Sequence, residues 1–96
     1  MPTNQVEYHK ALEETRRKKA SAQVQQRADH RAARATQNTE FQTERAALYQ
    51  GGKWSGSALN VARSLLAADH AKRRARLMEQ QTRERDRLRS KFAHDL

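Results

Sequence analysis

SALNVARSLLAADHAKRRARLMEQQTRERDRLRSKF, residues 57–92, decides the fold. These 36 residues contain no proline and no glycine, and Ala, Leu, Arg, Gln and Glu dominate them. All five are strong helix formers. Ser57 follows a glycine-rich break and offers a hydroxyl to an unpaired backbone N–H of a first turn, so a helix is expected to start there. At about 1.5 Å per residue it would run roughly 50 Å. That is longer than a compact domain of 96 residues needs.

The two halves of this stretch differ. Leu59, Val61, Ala62, Leu65, Leu66 and Ala68 crowd its first half, so more than one face is apolar there. From Lys72 onward the apolar residues thin to Leu77, Met78, Leu88 and Phe92 among many charged positions. Leu66, Leu77 and Leu88 lie 11 apart, and Arg63, Arg74 and Arg85 keep the same spacing on a neighbouring face. Eleven residues make close to three whole turns, so each trio shares one nearly straight face. The plainer alternative is a long helix with a narrow apolar seam.

Upstream, residues 50–57, QGGKWSGS, form the one firm break, a Gly/Trp linker. Gly51 can take the left-handed conformation that ends a helix, and three glycines in six residues release the chain from helical geometry. Trp54, the only tryptophan, is expected either to cover local helices or to anchor in a partner's pocket. The small core favours the anchor.

Residues 1–49 read as helical segments with few apolar positions. Asn4 with Glu7 makes a capping box, and Glu13–Arg17 and Glu14–Lys18 are acid-before-base pairs one turn apart. Residues 36–39, TQNT, are expected to break the helix, because Asn and Thr side chains compete with the helical backbone. A new short helix would then carry Phe41, Leu48 and Tyr49; a helix running straight from 5 to 49 is the competing reading. The chain is therefore expected to be all-α, with extended long helices joined by a Gly/Trp-containing loop, a C-terminal helix over 58–93 and little independent core.

Composition supports the small core. Leu, Val and Phe total 13 residues and Ile is absent, below the level expected for a packed core, while the net charge is +9. Residues 1–50 carry 9 Lys/Arg and 6 Asp/Glu, and residues 51–96 carry 11 and 5, so the excess lies towards the C-terminus. Such a chain expects an anionic partner. Without cysteine there is neither a disulfide framework nor a thiolate zinc site. No apolar run approaches the ~20 residues of a membrane span, and no secretory signal opens the chain. A membrane partner is not expected, and cytosolic or cytoskeletal placement is.

No catalytic motif emerges. His9, His30, His70 and His94 are dispersed, without metal-ligand spacing, and Gly51–Gly52 lacks the following lysine of a phosphate loop. An enzyme, a metal and a cofactor are therefore not expected. The basic runs Arg16-Arg17-Lys18-Lys19 and Lys72-Arg73-Arg74-Ala75-Arg76 could contact phosphates. Interspersed acids and scarce aromatics fit a solvated helix equally well.

Arg73-Arg74, Leu77-Met78, Glu79, a polar Gln/Glu/Arg segment, Leu88 and Phe92 near the terminus resemble the last helix of small microtubule inner proteins. These are cilia- and flagella-associated proteins lining the lumen of axonemal doublet microtubules. The resemblance spans about 25 residues. It implies a structural component of the axoneme that binds tubulin and neighbouring inner proteins without catalysis. Trp54, Phe41, Tyr49, Arg73, Arg74, Leu77, Leu88 and Phe92 are the expected partner-binding residues. The alternatives are a basic nucleic-acid-associated accessory protein of a ribosomal or viral particle, and a self-associating coiled coil through the 57–92 seam.

Overall fold

A computed structural model describes residues 5–95. Two long helices dominate: α1, Gln5–Ala47, and α2, Gly56–Asp95, with a short 3-10 turn at Gln50–Gly52 between them. There is no strand among the described residues. The all-α expectation holds, as does the Gly/Trp loop between long helices. The expected cap at Asn4 lies outside the described residues.

The expected break at 36–39 is absent, and α1 runs through it without interruption. The polar side chains there find partners that leave the backbone helical. Thr39 Oγ1 donates to the Ala35 carbonyl at 3.1 Å, and Thr43 Oγ1 donates to the Thr39 carbonyl at 3.1 Å. Gln37 Nε2 instead donates across to the Arg73 carbonyl at 3.2 Å. Back-bonding of a hydroxyl one turn down is compatible with a helix, and tertiary contact outweighs the weak local preference.

After Ala47 the helix tightens. Leu48 N–H donates to the Arg45 carbonyl at 3.2 Å and Tyr49 N–H to the Ala46 carbonyl at 3.1 Å, the three-residue spacing common at helix ends. Gly51 then adopts φ 70°, a left-handed conformation with little cost only for glycine. The next helix begins at Gly56, one residue before the expected cap Ser57. Leu59 N–H donates to the Ser55 carbonyl at 3.3 Å, so Ser55 holds the boundary position.

The helices contribute to two compact units. Residues up to His30 and from Gln81 onward form one, and Arg31–Gln80 form the other. In each unit an α1 segment pairs with an α2 segment. The inward positions of α2 follow a strict spacing of three, four and four residues from Leu59 to Phe92. Leu59, His70, Gln81 and Phe92 are thus 11 apart, as are Leu66, Leu77 and Leu88, and all face inward at least in part. On α1, His30 and Phe41 repeat the interval and are buried. The 11-residue pattern read in the leucines is the packing repeat. At 3.67 residues per turn, close to the helix's own 3.6, it keeps the inward positions on one face.

What fills this seam is unexpectedly polar. Among the described residues the buried apolar ones are Phe41 and Phe92, and the buried polar ones are His30, His70 and Gln81. In the unit containing the loop, Phe41 stacks on the His70 ring, with centroids 3.8 Å apart and planes 11° from parallel. The Arg73 guanidinium carbon lies 4.8 Å from the Phe41 ring centre and that of Arg74 lies 5.4 Å away. In the other unit, Gln81 Nε2 donates to the His30 carbonyl at 3.0 Å, and His30 Nε2 donates to Glu84 Oε2 at 2.9 Å.

Candidate functional site

The loop-containing unit carries two open grooves, and both grow from the sequence features above. Crowding of apolar residues at the start of α2 means that the single seam cannot bury all of them. Val61 and Leu65 lie off it and remain 58 % and 67 % exposed. With Leu48, Ala58, Ala62, Leu66, Trp54 and one charged residue, Asp69, they line a mainly apolar groove of about 610 Å³. Trp54, which the glycines hold between the two helices, is 40 % exposed and has Lys53 Nζ 5.8 Å from its ring centre. It therefore forms one wall of the groove and still presents an open edge.

The second groove, also of about 610 Å³, is lined by Arg45, Tyr49, Arg63 and Arg74 together with Asn60, Ser64 and the buried His70. Leu48 and Leu66 line both grooves. Arg63 and Arg74 are the pair set 11 apart, so they fall on one face of α2 beside the seam.

In the same unit an ionic cluster ties α1 to α2. Arg73 Nη2 donates to both carboxylate oxygens of Glu44, at 2.5 and 2.8 Å, and lies 3.0 Å from Asp69 Oδ2. The Arg73 hydrogen bond, reinforced by its charge and by nearby His70, holds the Glu44 carboxyl below its ordinary value. Partial desolvation and Asp69 oppose that shift. The same hydrogen bond raises Arg73 further above the ordinary guanidinium value. His70 Nε2 lies 3.7 Å from Glu44 Oε2, too long for a hydrogen bond, and neither it nor Arg73 Nε has a hydrogen-bond partner.

The expected partner-binding residues divide. Trp54, Tyr49 and Arg74 meet at the grooves. Leu77 and Leu88 are half-buried on the inward face. Phe41 and Phe92, expected as partner anchors, are 1 % and 6 % exposed and belong to the seam. With so few large apolar residues available, the chain uses both phenylalanines to hold its own helices together. Arg73 is likewise engaged within the unit, by Glu44 and Asp69.

Arg45 and the histidine pairing were not singled out from the sequence, although one signal reaches them. Residues 28–48 and 68–88 are a repeat at an offset of 40, identical at eight of 21 positions. The matches are Ala28/Ala68, Asp29/Asp69, His30/His70, Arg34/Arg74, Ala35/Ala75, Glu44/Glu84, Arg45/Arg85 and Leu48/Leu88. The contacts exchange between the copies: His30 meets Glu84, and His70 approaches Glu44. A search for self-similarity brings out both histidines and both glutamates together.

No group of three or more His, Cys, Asp and Glu side chains that could hold a metal ion occurs among the described residues. No described helix is long and apolar enough to cross a membrane. No protein-family model, no curated protein and no solved structure matches the chain. What the geometry defines is a helical hairpin in the loop-containing unit, with a polar seam and two grooves.

Proposed function

We propose that the chain is a non-enzymatic structural component of a larger assembly, an axonemal doublet microtubule, where it lies against tubulin and neighbouring inner proteins. The observation that carries this reading is the distribution of apolar side chains. Histidines and a glutamine share the seam with two phenylalanines and half-buried leucines, while Trp54, Val61 and Leu65 stay outside around an open groove. A chain that leaves its large apolar residues exposed gains order by covering them with a partner. The net charge of +9 suits an acidic lattice, and the resemblance of the α2 stretch from Arg73 to Phe92 supplies the axoneme.

Co-sedimentation with stabilised microtubules, opened by mild sonication so that luminal sites are reachable, tests the reading. Pelleting that survives excess RNA and weakens on Trp54→Ala is expected. Binding that RNA abolishes, with a steep fall in affinity as salt rises, would instead assign the chain to nucleic acid.

A further inference from the structure

Three arginines in the loop-containing unit stand together without neutralising partners. Arg45 from the last turn of α1 and Arg63 and Arg74 from α2 line one groove, and no aspartate or glutamate lines it with them. All three are exposed, and none makes an ion pair among the described residues. Their neighbour Arg73 shows the contrast, since Glu44 and Asp69 hold it on two sides. No carboxylate among the described residues already engages these three guanidinium groups, so each is open to an anion in the groove.

The lining and the adjoining groove narrow the class of anion. Tyr49, Asn60 and Ser64 add neutral hydrogen-bonding groups between the arginines. Arg63 and Arg74 are separated by about 16 Å of helix, at 1.5 Å per residue, which matches about five residues of extended peptide. Guanidinium groups pair with carboxylates through two parallel hydrogen bonds. Directly alongside, across Leu48 and Leu66, lies the apolar groove of Trp54, Val61 and Leu65. Aliphatic side chains dominate that wall, which suits an apolar side chain better than a row of stacked bases.

We infer that this end of the hairpin binds an acidic peptide segment of a protein partner, its carboxylates on Arg45, Arg63 and Arg74 and one apolar side chain in the Trp54 groove. The inference rests on the structural-component reading only in taking the partner to be a protein, and it does not require that partner to be tubulin.

Fluorescence anisotropy of the full chain tests it, with a labelled ten-residue glutamate-rich peptide carrying one central phenylalanine. The wild-type chain should bind this probe more tightly than the same peptide with serine in place of phenylalanine, and more tightly than a single-stranded RNA of equal charge. Each of Arg45→Gln, Arg63→Gln and Arg74→Gln should weaken binding about threefold, as expected for a partly exposed charge pair. The triple variant should lose at least roughly tenfold, with unchanged helicity by circular dichroism. A control chain with Arg16→Gln, Arg17→Gln and Lys18→Gln has the same net charge and should bind as wild type does. Leu65→Ser should weaken only the phenylalanine-bearing peptide. Equal loss in the two triple variants would overturn the inference, since binding would then follow net charge alone. Indifference to the phenylalanine, or displacement of the peptide by RNA, would overturn it as well. Peptide binding lost with microtubule pelleting intact would remove the groove assignment alone; the converse would remove the axonemal reading alone.

Discussion

Phe41 is the residue on which the loop-containing unit most depends. It is 1 % exposed, lies flat on His70 and has two guanidinium groups within 5.4 Å of its ring centre. Truncating a buried phenylalanine typically costs about 3–5 kcal/mol, and few other apolar groups here share the load. Phe41→Ala is therefore expected to abolish most of the helicity of residues 31–80, read as slow-exchanging amides by hydrogen exchange. Trp54→Ala, at a half-exposed position, should leave those amides protected. Glu44 adds a pH dependence. Its folded carboxyl sits below the ordinary 4.5, so its contribution is complete above that value and is lost as pH falls through the lower folded one. The stability gap between wild type and Glu44→Gln in urea should be constant above about pH 5 and close in more acidic solution. Neither role was legible beforehand. A phenylalanine in a sparse apolar pattern looks like a free anchor until its 11-residue partner His30 is recognised as inward-facing, and histidine is not a residue that a hydrophobic pattern selects.

At the scale of elements, the C-terminal helix was plain in the sequence, because 36 residues of strong helix formers after a glycine-rich break admit little else. The 11-residue interval of its leucines was legible too, and it proved to be the packing repeat. The first helix was misread at TQNT because local preferences there are worth only tenths of a kcal/mol, less than one cross-helix contact such as Gln37 to the Arg73 carbonyl. Two measurements follow from this. Thr39→Ala, which trades a back-bonded hydroxyl for the best helix former, should raise the thermal midpoint slightly, equivalent to about 0.5 kcal/mol. Gly51 has φ 70° and open space where a Cβ would go, so a substitution there costs conformational strain and no collision. Gly51→Val should destabilise by about 1–2 kcal/mol in urea denaturation, and Gly51→Asn by distinctly less. A valine as benign as asparagine would show that the turn relaxes out of the left-handed conformation.

For the molecule as a whole, few groups are buried among the described residues: two phenylalanines, two histidines and a glutamine, with half-buried leucines between them. Most of the ion pairs along the helices, such as Glu13–Arg17 and Asp86–Arg89, are exposed and contribute little. The buried polar residues help specify register, since the His30 ring meets the Glu84 carboxylate only in one alignment of their helices. They add less stability than leucines in the same places would. Specific pairing with small net stabilisation is what a component completed by its assembly requires. The purified chain is accordingly expected to lose its far-ultraviolet circular dichroism in a shallow transition of low midpoint. A partner that covers the Trp54 and arginine grooves should raise the midpoint in proportion to the logarithm of its concentration above Kd. A steep, concentration-independent transition in the isolated chain would mean that the seam is sufficient by itself. The exposed apolar residues would then lose their standing as the missing part of the core.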